Sequence, residues 1–332
     1  MRNIAWFQSL LTICTVCMTP SSQADDNEKA GVLSFTLEND LFYGSDRHYT
    51  GGVRFIWAPD PSVKAPGWLL DLARIAPWFP QQGEARMGYG FGQSLFSPSD
   101  ITVENPPLSE RPYAGWLYGG IGLGVSSGRQ LDLFSISIGI VGPDALGEEA
   151  QSSVHELVGA DEPRGWDTQL ENELGILVTY QQLWRGTETN TYSGRHMDLS
   201  PHMGIVLGNV FTYINSGFTV RYGNRLPDDY GPPRIQPGLP GTPVYVHSGD
   251  FSWYLFAGLE TRVVARNIFL DGNLIQDSRS VEKEILVGDL QFGIVFDWTD
   301  FRLSYAHVIR SREFEEQEEV DHYGGIGVTY RF

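Results

Sequence analysis

The sequence predicts an all-β protein, a twelve-stranded antiparallel transmembrane β-barrel with a short helix in an extracellular loop. Segments of about ten residues alternate between apolar and small or polar side chains, as strands with one wall toward lipid do. Aromatic residues gather near the ends of these segments, as they do in the interface girdles of membrane barrels. The chain also ends on alternating aromatic residues up to Phe332. This ending is typical of the C-terminal strand through which the barrel-assembly machinery engages outer-membrane proteins.

Residues 1–24 are predicted to be a secretory signal peptide. Arg2 supplies a positive charge, an apolar core runs from Ile4 to Met18, and Ser22-Gln23-Ala24 is a small-x-small cleavage site. An N-terminal membrane anchor is the alternative, but the apolar run is shorter than the roughly 20 residues that a helix needs to span a bilayer. Cleavage near Ala24 would leave a mature chain that begins at Asp25.

The remaining residues, 25–332, are predicted to form a single domain in the bacterial outer membrane. Both cysteines, Cys14 and Cys17, belong to the signal peptide, so the mature chain would have no disulfide. The mature chain also has no apolar stretch long enough for a membrane-spanning helix, so strands would have to cross the membrane. We expect the mature protein to be a monomer.

An even number of strands is what a closed single-chain barrel needs, and the alternating pattern supplies twelve. A soluble β-sandwich also has alternating strands, but the glycines between Gly119 and Gly124 fill a strand interior, which a curved barrel wall tolerates. With both termini toward the periplasm, the long connections 59–86 and 224–249 would fall on the side where turns are usually short. The first connection contains a predicted amphipathic interface helix from Pro66 to Phe79. The candidate strands are residues 31–39, 49–58, 87–96, 113–126, 131–142, 170–184, 197–210, 213–223, 250–264, 281–297, 301–310 and 321–332.

The charge balance argues against nucleic acid as a partner. Asp and Glu total 41 against 23 Lys and Arg, which gives a net charge of -18, whereas a phosphate-binding face needs clustered Lys and Arg. The acidic run from Glu313 to Asp321 is predicted to be a solvated outer loop. Binding of the divalent ions that bridge lipopolysaccharide is an alternative for that run.

The segment 143–161 predicts a helix within an otherwise β chain. Pro143-Asp144 forms its turn and N-cap, and the apolar residues that follow repeat at helical spacing. On the other face Glu148, Gln151 and His155 are spaced at i, i+3 and i+7, so all three point the same way. A lone histidine on a helix is usually a surface residue, but long ordered loops tend to be functional. His155 is therefore a candidate catalytic residue.

Oxygen-rich side chains cluster where the first predicted strand ends and the second begins. Asn39-Asp40 ends the first, and Thr50 with two glycines opens the second. Such oxygens suit a hard cation such as Ca²⁺, although turn chemistry alone also explains Asn and Asp at this place. Together with the helix, they suggest ester hydrolysis without a serine nucleophile. A cation bound by Asn39 and Asp40 would polarise the acyl carbonyl, and His155 would take a proton from an attacking water.

At these positions the sequence resembles the family of outer-membrane lipid A 3'-O-deacylases. The resemblance rests on motifs between residues 39 and 172 and covers the later strands only by alternation. The matching motifs are Asn39-Asp40, Asp46-Arg47, Tyr49-Thr50-x-Gly52, Arg111-Pro112-Tyr113-Ala114-Gly115-Trp116, Val141-Gly142-Pro143-Asp144-Ala145 with Gln151 and His155, and Gly165-Trp166-Asp167 with Gln169.

The resemblance implies a carboxylic ester hydrolase that removes the 3'-O-linked acyl chain from lipid A of lipopolysaccharide. Its active site would lie between the barrel wall and the loop helix, near the outer leaflet. Catalysis would depend on Ca²⁺ and on a histidine that activates water, much as in secreted phospholipases A2. The site residues carried over by motif are His155, Asn39, Asp40, Thr50 and Gln151, with Asn39, Asp40 and Asp161 assigned to the metal.

One departure from the family concerns the lipid headgroup. Some members have a basic cluster after the third strand that is thought to contact lipid A phosphates, whereas residues 99–104 contain no Lys or Arg. Either Arg111 or Arg47 substitutes for it, or the substrate differs from that of those members.

Two other functions stay open at the level of the sequence. A non-catalytic barrel, either a pore or a structural protein, predicts conductance or no activity, and no proximity between Asn39-Asp40 and His155. An outer-membrane phospholipase predicts cleavage of glycerophospholipids instead of lipid A.

Overall fold

The computed structural model describes residues 31–40, 48–191, 194–235, 237–242 and 251–332. The predicted signal peptide and the motif pair Asp46-Arg47 lie outside the described residues.

The described chain consists mostly of antiparallel strands. Its helices are α1 (Gly67–Ala73), α2 (Gly147–Val158) and α3 (Ile268–Asp271). Single 3-10 turns, Pro143–Ala145 and Trp166–Thr168, stand before and after α2. The strands are β1 (Val32–Asn39), β2 (His48–Ala58), β3 (Glu84–Ser97), β4 (Ala114–Ser127), β5 (Gln130–Val141), β6 (Glu173–Trp184), β7 (Thr189–Asn190), β8 (His196–Gly208), β9 (Phe211–Gly223), β10 (Ser252–Asn267), β11 (Leu286–Asp297), β12 (Phe301–Arg310) and β13 (Asp321–Arg331).

The strands form a closed twelve-stranded antiparallel barrel, as the sequence predicts. Consecutive long strands pair as neighbours, β1 pairs with β13, and β6 pairs with β8. The two-residue β7 pairs only with β8 and stands outside the circle. Each of the twelve predicted segments overlaps one barrel strand. Closure pairs every long strand on both sides, which removes the exposed edges that promote aggregation.

The period of two separates an outer wall from an inner one. On β1 Leu33 is exposed, whereas Ser34, Thr36 and Glu38 are buried in the lumen. The exposed Phe55 of β2 pairs directly with Phe35 of β1, so the apolar faces of neighbouring strands align. Cross-strand partners share a face in a sheet, so the register shows which residues face outward along the whole wall. None of the described helices is long and apolar enough to cross a membrane.

The long connection between β9 and β10 folds into the lumen. We call residues 226–235 and 237–242 the lumen segment. Its Arg234 donates from Nε to Glu38 Oε1 at 2.5 Å, and its Asp229 forms ion pairs with Arg221 of β9 and Arg302 of β12. These buried contacts reach several parts of the inner wall. The described part of this connection therefore lies in the lumen, and its contacts with the inner wall account for a length that a short turn would not need.

The other long connection, between β2 and β3, contains α1. The helix is shorter than the predicted span from Pro66 to Phe79, since its regular part ends at Ala73. Its buried Leu69 packs with Leu123 and other side chains of the outer wall, while Trp68 stays exposed. The helix is amphipathic as predicted, and it lies against the outside of the barrel.

Two sequence interpretations need correction. The aromatic residues near strand ends, which the sequence assigns to an interface girdle, include Trp116, Tyr118 and Tyr113, and these three are buried. Trp116 and Tyr118 stack at 4.2 Å between ring centroids, two residues apart on the inward parity of β4. They therefore fill the core and do not meet lipid.

The acidic run is only partly a solvated loop. Glu313 is buried and accepts a hydrogen bond from Arg111 Nη1 at 3.2 Å. Burial raises the pKa of Glu313, but the charges of Arg310 and Arg111 outweigh it and hold the pKa below its usual value. Asp321 at the other end is also buried and meets His48 Nδ1 at 2.6 Å. The residues between are mostly exposed, so the two ends of the run anchor the loop by charge.

Candidate active site on the outer wall

Four residues form a row across one end of the outer wall. Asn39 of β1 pairs with Gly51 of β2, Gly51 with Leu95 of β3, and Leu95 with Gly115 of β4. Asn39 is six residues after Leu33 on the same strand, so this outer-wall row shares the lipid-facing parity. Two of the four positions are glycines, and because glycine has no side chain, another segment can pack closely against the wall there.

Thr50 is brought to this face by an irregularity in the pairing of β2 with β3. The register shifts between Tyr49 and Gly51, so Thr50 is the extra residue of a bulge. Its Oγ1 lies 2.5 Å from Ser97 Oγ, and Ser97 is two residues beyond Leu95 on the same side of β3. Without the bulge Thr50 would point into the lumen.

The β1 end of the row offers oxygen atoms to a cation. Asp40 is only 2% exposed, and the amide of Asn39 lies over Gly51, where a Cβ would come within 2.9 Å of its Nδ2. The hydroxyls of Thr50 and Ser97 lie beyond Gly51. This set is oxygen-only with one buried carboxylate, so it fits a hard cation such as Ca²⁺ better than zinc or copper. Among the described residues no group of three His, Cys, Asp or Glu side chains is placed to hold a metal.

The loop that carries α2 folds back over the outer wall. After β5 the 3-10 turn Pro143–Ala145 contacts β5 and β4, and α2 then contacts β4 and β3. Gln93 of β3 donates from Nε2 to the main-chain oxygens of Ala145, at 2.7 Å, and of Leu146, at 3.1 Å. A Cβ on Gly115 would lie 3.2 Å from Gly147 Cα. The path of the loop therefore leads from β5 toward the strands that carry Thr50 and Asn39.

The buried face of α2 carries the two candidate residues. Gly147, Gln151 and His155 are its buried residues, spaced by four, and Gly147 sits directly on the wall. The sequence placed Glu148 on this face, but Glu148 is exposed. Leu146, with a positive φ of 56°, precedes the helix in place of the predicted cap Asp144.

The apolar residues of α2 do not pack on the barrel. Val154 is 43% exposed and Leu157 is 79% exposed. The buried stripe of the helix is therefore Gly147, Gln151 and His155, and Val154 and Leu157 lie on the exposed side together with Glu148, Glu149 and Glu156. Such an arrangement suits a helix that covers a polar site on the lipid-facing side of a barrel.

A main-chain contact fixes the tautomer of His155. Its Nδ1 lies 2.5 Å from the carbonyl oxygen of Asp161. A carbonyl oxygen can only accept, so Nδ1 carries a proton, and in the neutral imidazole the lone pair is then on Nε2. This is the state in which an imidazole acts as a general base. The side chain of Asp161 is exposed, so its observed contact with His155 comes from the backbone. Its role as a metal ligand stays a prediction.

Gln151 is held by a tryptophan from the segment after the helix. Trp166 Nε1 donates to Gln151 Oε1 at 2.8 Å, and the Trp166 ring packs against Tyr113 at 4.9 Å between centroids. A Cβ on Gly147 would lie 2.5 Å from that ring. The glycine therefore lets the helix and the tryptophan approach each other.

Asn39 and Thr50 thus lie at the same end of the outer wall as the helix that carries Gln151 and His155. Asn39 and Thr50 lie on the β1 and β2 side of the outer-wall row, and Gln151 and His155 lie on the helix above its β3 and β4 side. Sequence reasoning gave no role to Gln93 or Ser97. Gln93 could have been found because it is a polar residue at a lipid-facing position.

Arg111 does not lie on this surface. Its guanidinium is fully buried, stands over the Phe96 ring at 5.1 Å, and contacts Glu313. It therefore cannot reach a phosphate on the outer wall as a substitute for the missing basic cluster. The other suggested substitute, Arg47, lies outside the described residues.

The comparisons with known proteins agree with this architecture. A family model described as "Outer membrane protein LpxR" matches residues 10–332. No curated protein sequence matches the chain. The solved structure of LpxR from Salmonella typhimurium superimposes with a TM-score of 0.72 at 20% identity, covering 91% of this chain and 100% of that one. The β domain of the Bordetella autotransporter BrkA gives a TM-score of 0.45 at 9% identity, with 92% and 99% covered.

Proposed function

Because the chain belongs to the LpxR family of outer-membrane proteins, we propose that it is a carboxylic ester hydrolase that removes an ester-linked acyl chain, the 3'-O chain, from lipid A. One observation carries the proposal. His155 is buried on a loop helix whose start lies on the lipid-facing wall of the barrel, and its Nδ1 donates to the main-chain oxygen of Asp161. A base in that place can reach an ester only if the substrate approaches from the membrane.

The hydrolysis follows from the state of His155. Its Nε2 takes a proton from a water molecule as the water oxygen bonds to the acyl carbonyl carbon. The tetrahedral intermediate then collapses, the bond between carbonyl carbon and sugar oxygen breaks, and the imidazolium returns the proton to that oxygen. The products are a fatty acid and a free sugar hydroxyl. The Asp161 carbonyl supports each step, because it stabilises the proton on Nδ1 while Nε2 gains and loses its own.

Asn39 and Asp40 are the residues that would hold Ca²⁺ in this proposal, together with Asp161 as predicted. A bound calcium would polarise the ester carbonyl and offset the negative charge that develops on its oxygen. Thr50 and Ser97 would add hydroxyl oxygens at the same edge. The buried position of the Asp40 carboxylate supports this assignment, since carboxylate oxygens are preferred ligands of Ca²⁺.

The lumen segment argues against the alternative of an open pore. Arg234 and Asp229 form buried ion pairs with the inner wall, so the lumen segment occupies part of the space that an open pore would need. A phospholipase remains a competing assignment, since the same chemistry hydrolyses any acyl ester that reaches His155.

A direct substrate comparison tests the proposal. Purified protein is incubated with lipid A and, in parallel, with phosphatidylethanolamine vesicles in the presence of Ca²⁺, and both are examined by mass spectrometry. We expect lipid A to lose one acyl chain and the phospholipid to stay intact. Release of lysophospholipid without change in lipid A would establish the phospholipase instead.

A further inference from the structure

The hydrogen bond from Trp166 decides which end of the Gln151 amide faces the site. An indole N–H can only donate, and of the two amide ends only the oxygen can accept. The bond of 2.8 Å from Trp166 Nε1 to Gln151 Oε1 therefore fixes the amide orientation by chemistry. Gln151 Nε2, with its two N–H groups, must point away from the tryptophan.

Trp166 is itself held in place. It is 1% exposed, and Tyr113 packs against one side of its ring. The start of α2 closes another side, since a Cβ on Gly147 would come within 2.5 Å of the ring. The indole cannot turn without moving the helix off the wall, so the direction of its N–H is set by the fold.

The Gln151 amino group is a buried donor whose acceptor is missing. Gln151 is 2% exposed, and its Nε2 has no hydrogen-bond partner in the described structure. The wall beneath the start of the helix presents Leu95 and Gly115, which have no side-chain acceptor. Buried donors without a partner are rare in folded proteins. A donor kept in this state one helical turn from His155 indicates that its acceptor arrives with the substrate.

We propose that Trp166 is a positioning residue that holds Gln151 so that Gln151 Nε2 donates a hydrogen bond to the acyl carbonyl oxygen. This inference rests on the proposed function and assigns a second stabiliser of the same reaction. As the water oxygen bonds to the carbonyl carbon, the C=O electron pair moves to the oxygen and the water proton moves to His155 Nε2. The Gln151 hydrogen bond strengthens at that moment and weakens again when the sugar oxygen leaves and takes the proton back.

A double-mutant cycle tests the assignment. Trp166→Phe keeps the aromatic packing and removes the donor, and Gln151→Leu removes the amide. We expect Gln151→Leu to lower kcat by about 10²–10³-fold, as loss of one oxyanion donor does, and Trp166→Phe by about 10-fold, both with little change in KM. The double variant should be no slower than Gln151→Leu alone, because Trp166 acts only through Gln151.

A matched control is available at the other end of the barrel. Trp184 Nε1 donates to Gln130 Oε1 at 3.1 Å, the same kind of bond away from the site. Trp184→Phe should leave kcat unchanged. Unchanged kcat in Trp166→Phe, or effects of the two substitutions that multiply in the double variant, would overturn the proposal.

A further variant covers the case in which Trp166→Phe does not fold. Gln151→Glu keeps an oxygen for the indole and loses the donor, so it should lose activity to at least the extent of Gln151→Leu. Full activity in Gln151→Glu would also overturn the proposal. All variants are assayed on whichever acyl ester the wild type hydrolyses, lipid A, phospholipid or p-nitrophenyl ester. If the wild type hydrolyses an ester other than lipid A but not lipid A, the lipid A assignment is wrong, and the variants then test the role of Trp166 on that ester. If the wild type hydrolyses none of these esters, both the proposed function and the role of Trp166 are wrong.

Discussion

Asn39 is the residue at which the outer face of β1 stops being apolar. Leu33, Phe35 and Leu37 precede it at the same parity, and the register continues from Asn39 to Gly51. Gln93 is the corresponding break on β3, after Tyr89 and Phe91. A polar side chain toward lipid is costly, so these breaks mark where the wall is covered. At Gln93 the cover is the loop before α2, whose main-chain oxygens accept hydrogen bonds from Gln93.

Single residues could be predicted from sequence where a chemically reactive side chain stands at a position at which the strand or helix pattern does not expect one. Asn39, Asp40 and His155 combine reactive groups with unusual positions, so the sequence proposed them, although no contact in the structure tests their roles. Asp161 shows where this reasoning stops. Sequence can suggest that an acid six residues past the histidine matters, but only coordinates show that its main-chain oxygen makes the contact.

Loss of the buried carboxylate of Asp40 should weaken the binding of the calcium on which activity depends. We expect Asp40→Asn to raise the calcium concentration for half-maximal deacylation by at least about 10–100-fold, the range for weakened metal sites. The measurement is activity against free Ca²⁺ after treatment with a chelator. Asp100→Asn, an exposed acid in the loop after β3, is the control and should behave as wild type. Full activity of chelated wild type, or equal rescue by Mg²⁺, would refute the calcium assignment.

At the scale of elements, α2 matters because of where it lies. Sequence predicted the helix and its His155, but it also assigned Glu148 to the face that carries Gln151 and His155. In the structure Glu148 is exposed, and Gly147 takes its place in the buried stripe. An amphipathic pattern tells which residues share a face, and the solvent on each side decides which face is buried. The bulge at Thr50 is similar, since one extra residue in β2 has no signal in the alternation.

The contact between α2 and the wall depends on the absence of a side chain at Gly115. The Cβ of a valine at this position would lie 3.2 Å from both Ala145 Cβ and Gly147 Cα, before its two methyl groups are counted. We expect Gly115→Val to lift the helix and lower kcat by about 10²-fold, the cost of roughly 1 Å of misplacement, while the barrel still folds. Folding is checked by heat-modifiable migration in electrophoresis.

Gly119→Val is the matched control for that substitution. Gly119 lies on the same strand and the same face, and a Cβ there would have its nearest neighbour at 3.8 Å, the Gly90 oxygen. Activity should be retained in this variant. An equal loss of activity in both variants would mean that a valine anywhere on this face of β4 lowers activity, and that the contact between Gly115 and the helix is not the cause.

At the scale of the whole molecule, the sequence predicts the strands of the barrel but does not predict what lies inside the barrel. Alternation predicts strands and their number because lipid on one side and a filled lumen on the other impose a period of two. It does not predict that the β9 to β10 connection enters the barrel. Asp229 and Arg234 find partners 70 to 200 residues away on the strands, and such long-range pairing leaves no local pattern.

The lumen segment should contribute strongly to stability. Asp229 is fully buried between Arg221 and Arg302, so Asp229→Asn leaves two buried guanidinium groups short of a counter-charge. Breaking a buried pair costs about 3–5 kcal/mol, and we expect unfolding in urea to shift accordingly. Asp228→Asn is the control, because its pair with Arg185 is largely exposed and is worth about 0–1 kcal/mol. Equal stability of the two variants would show that the lumen segment does not support the barrel.

The deacylation of lipid A by purified protein, followed by mass spectrometry in His155→Ala and Glu156→Gln, tests the central claim most directly. Glu156 is the exposed neighbour of His155 on the same helix, so it controls for disturbance of α2. The account predicts that His155→Ala lowers kcat by about 10²–10⁴-fold, as removal of a general base does, while Glu156→Gln keeps wild-type activity. Deacylated lipid A formed at the wild-type rate by folded His155→Ala would contradict the account.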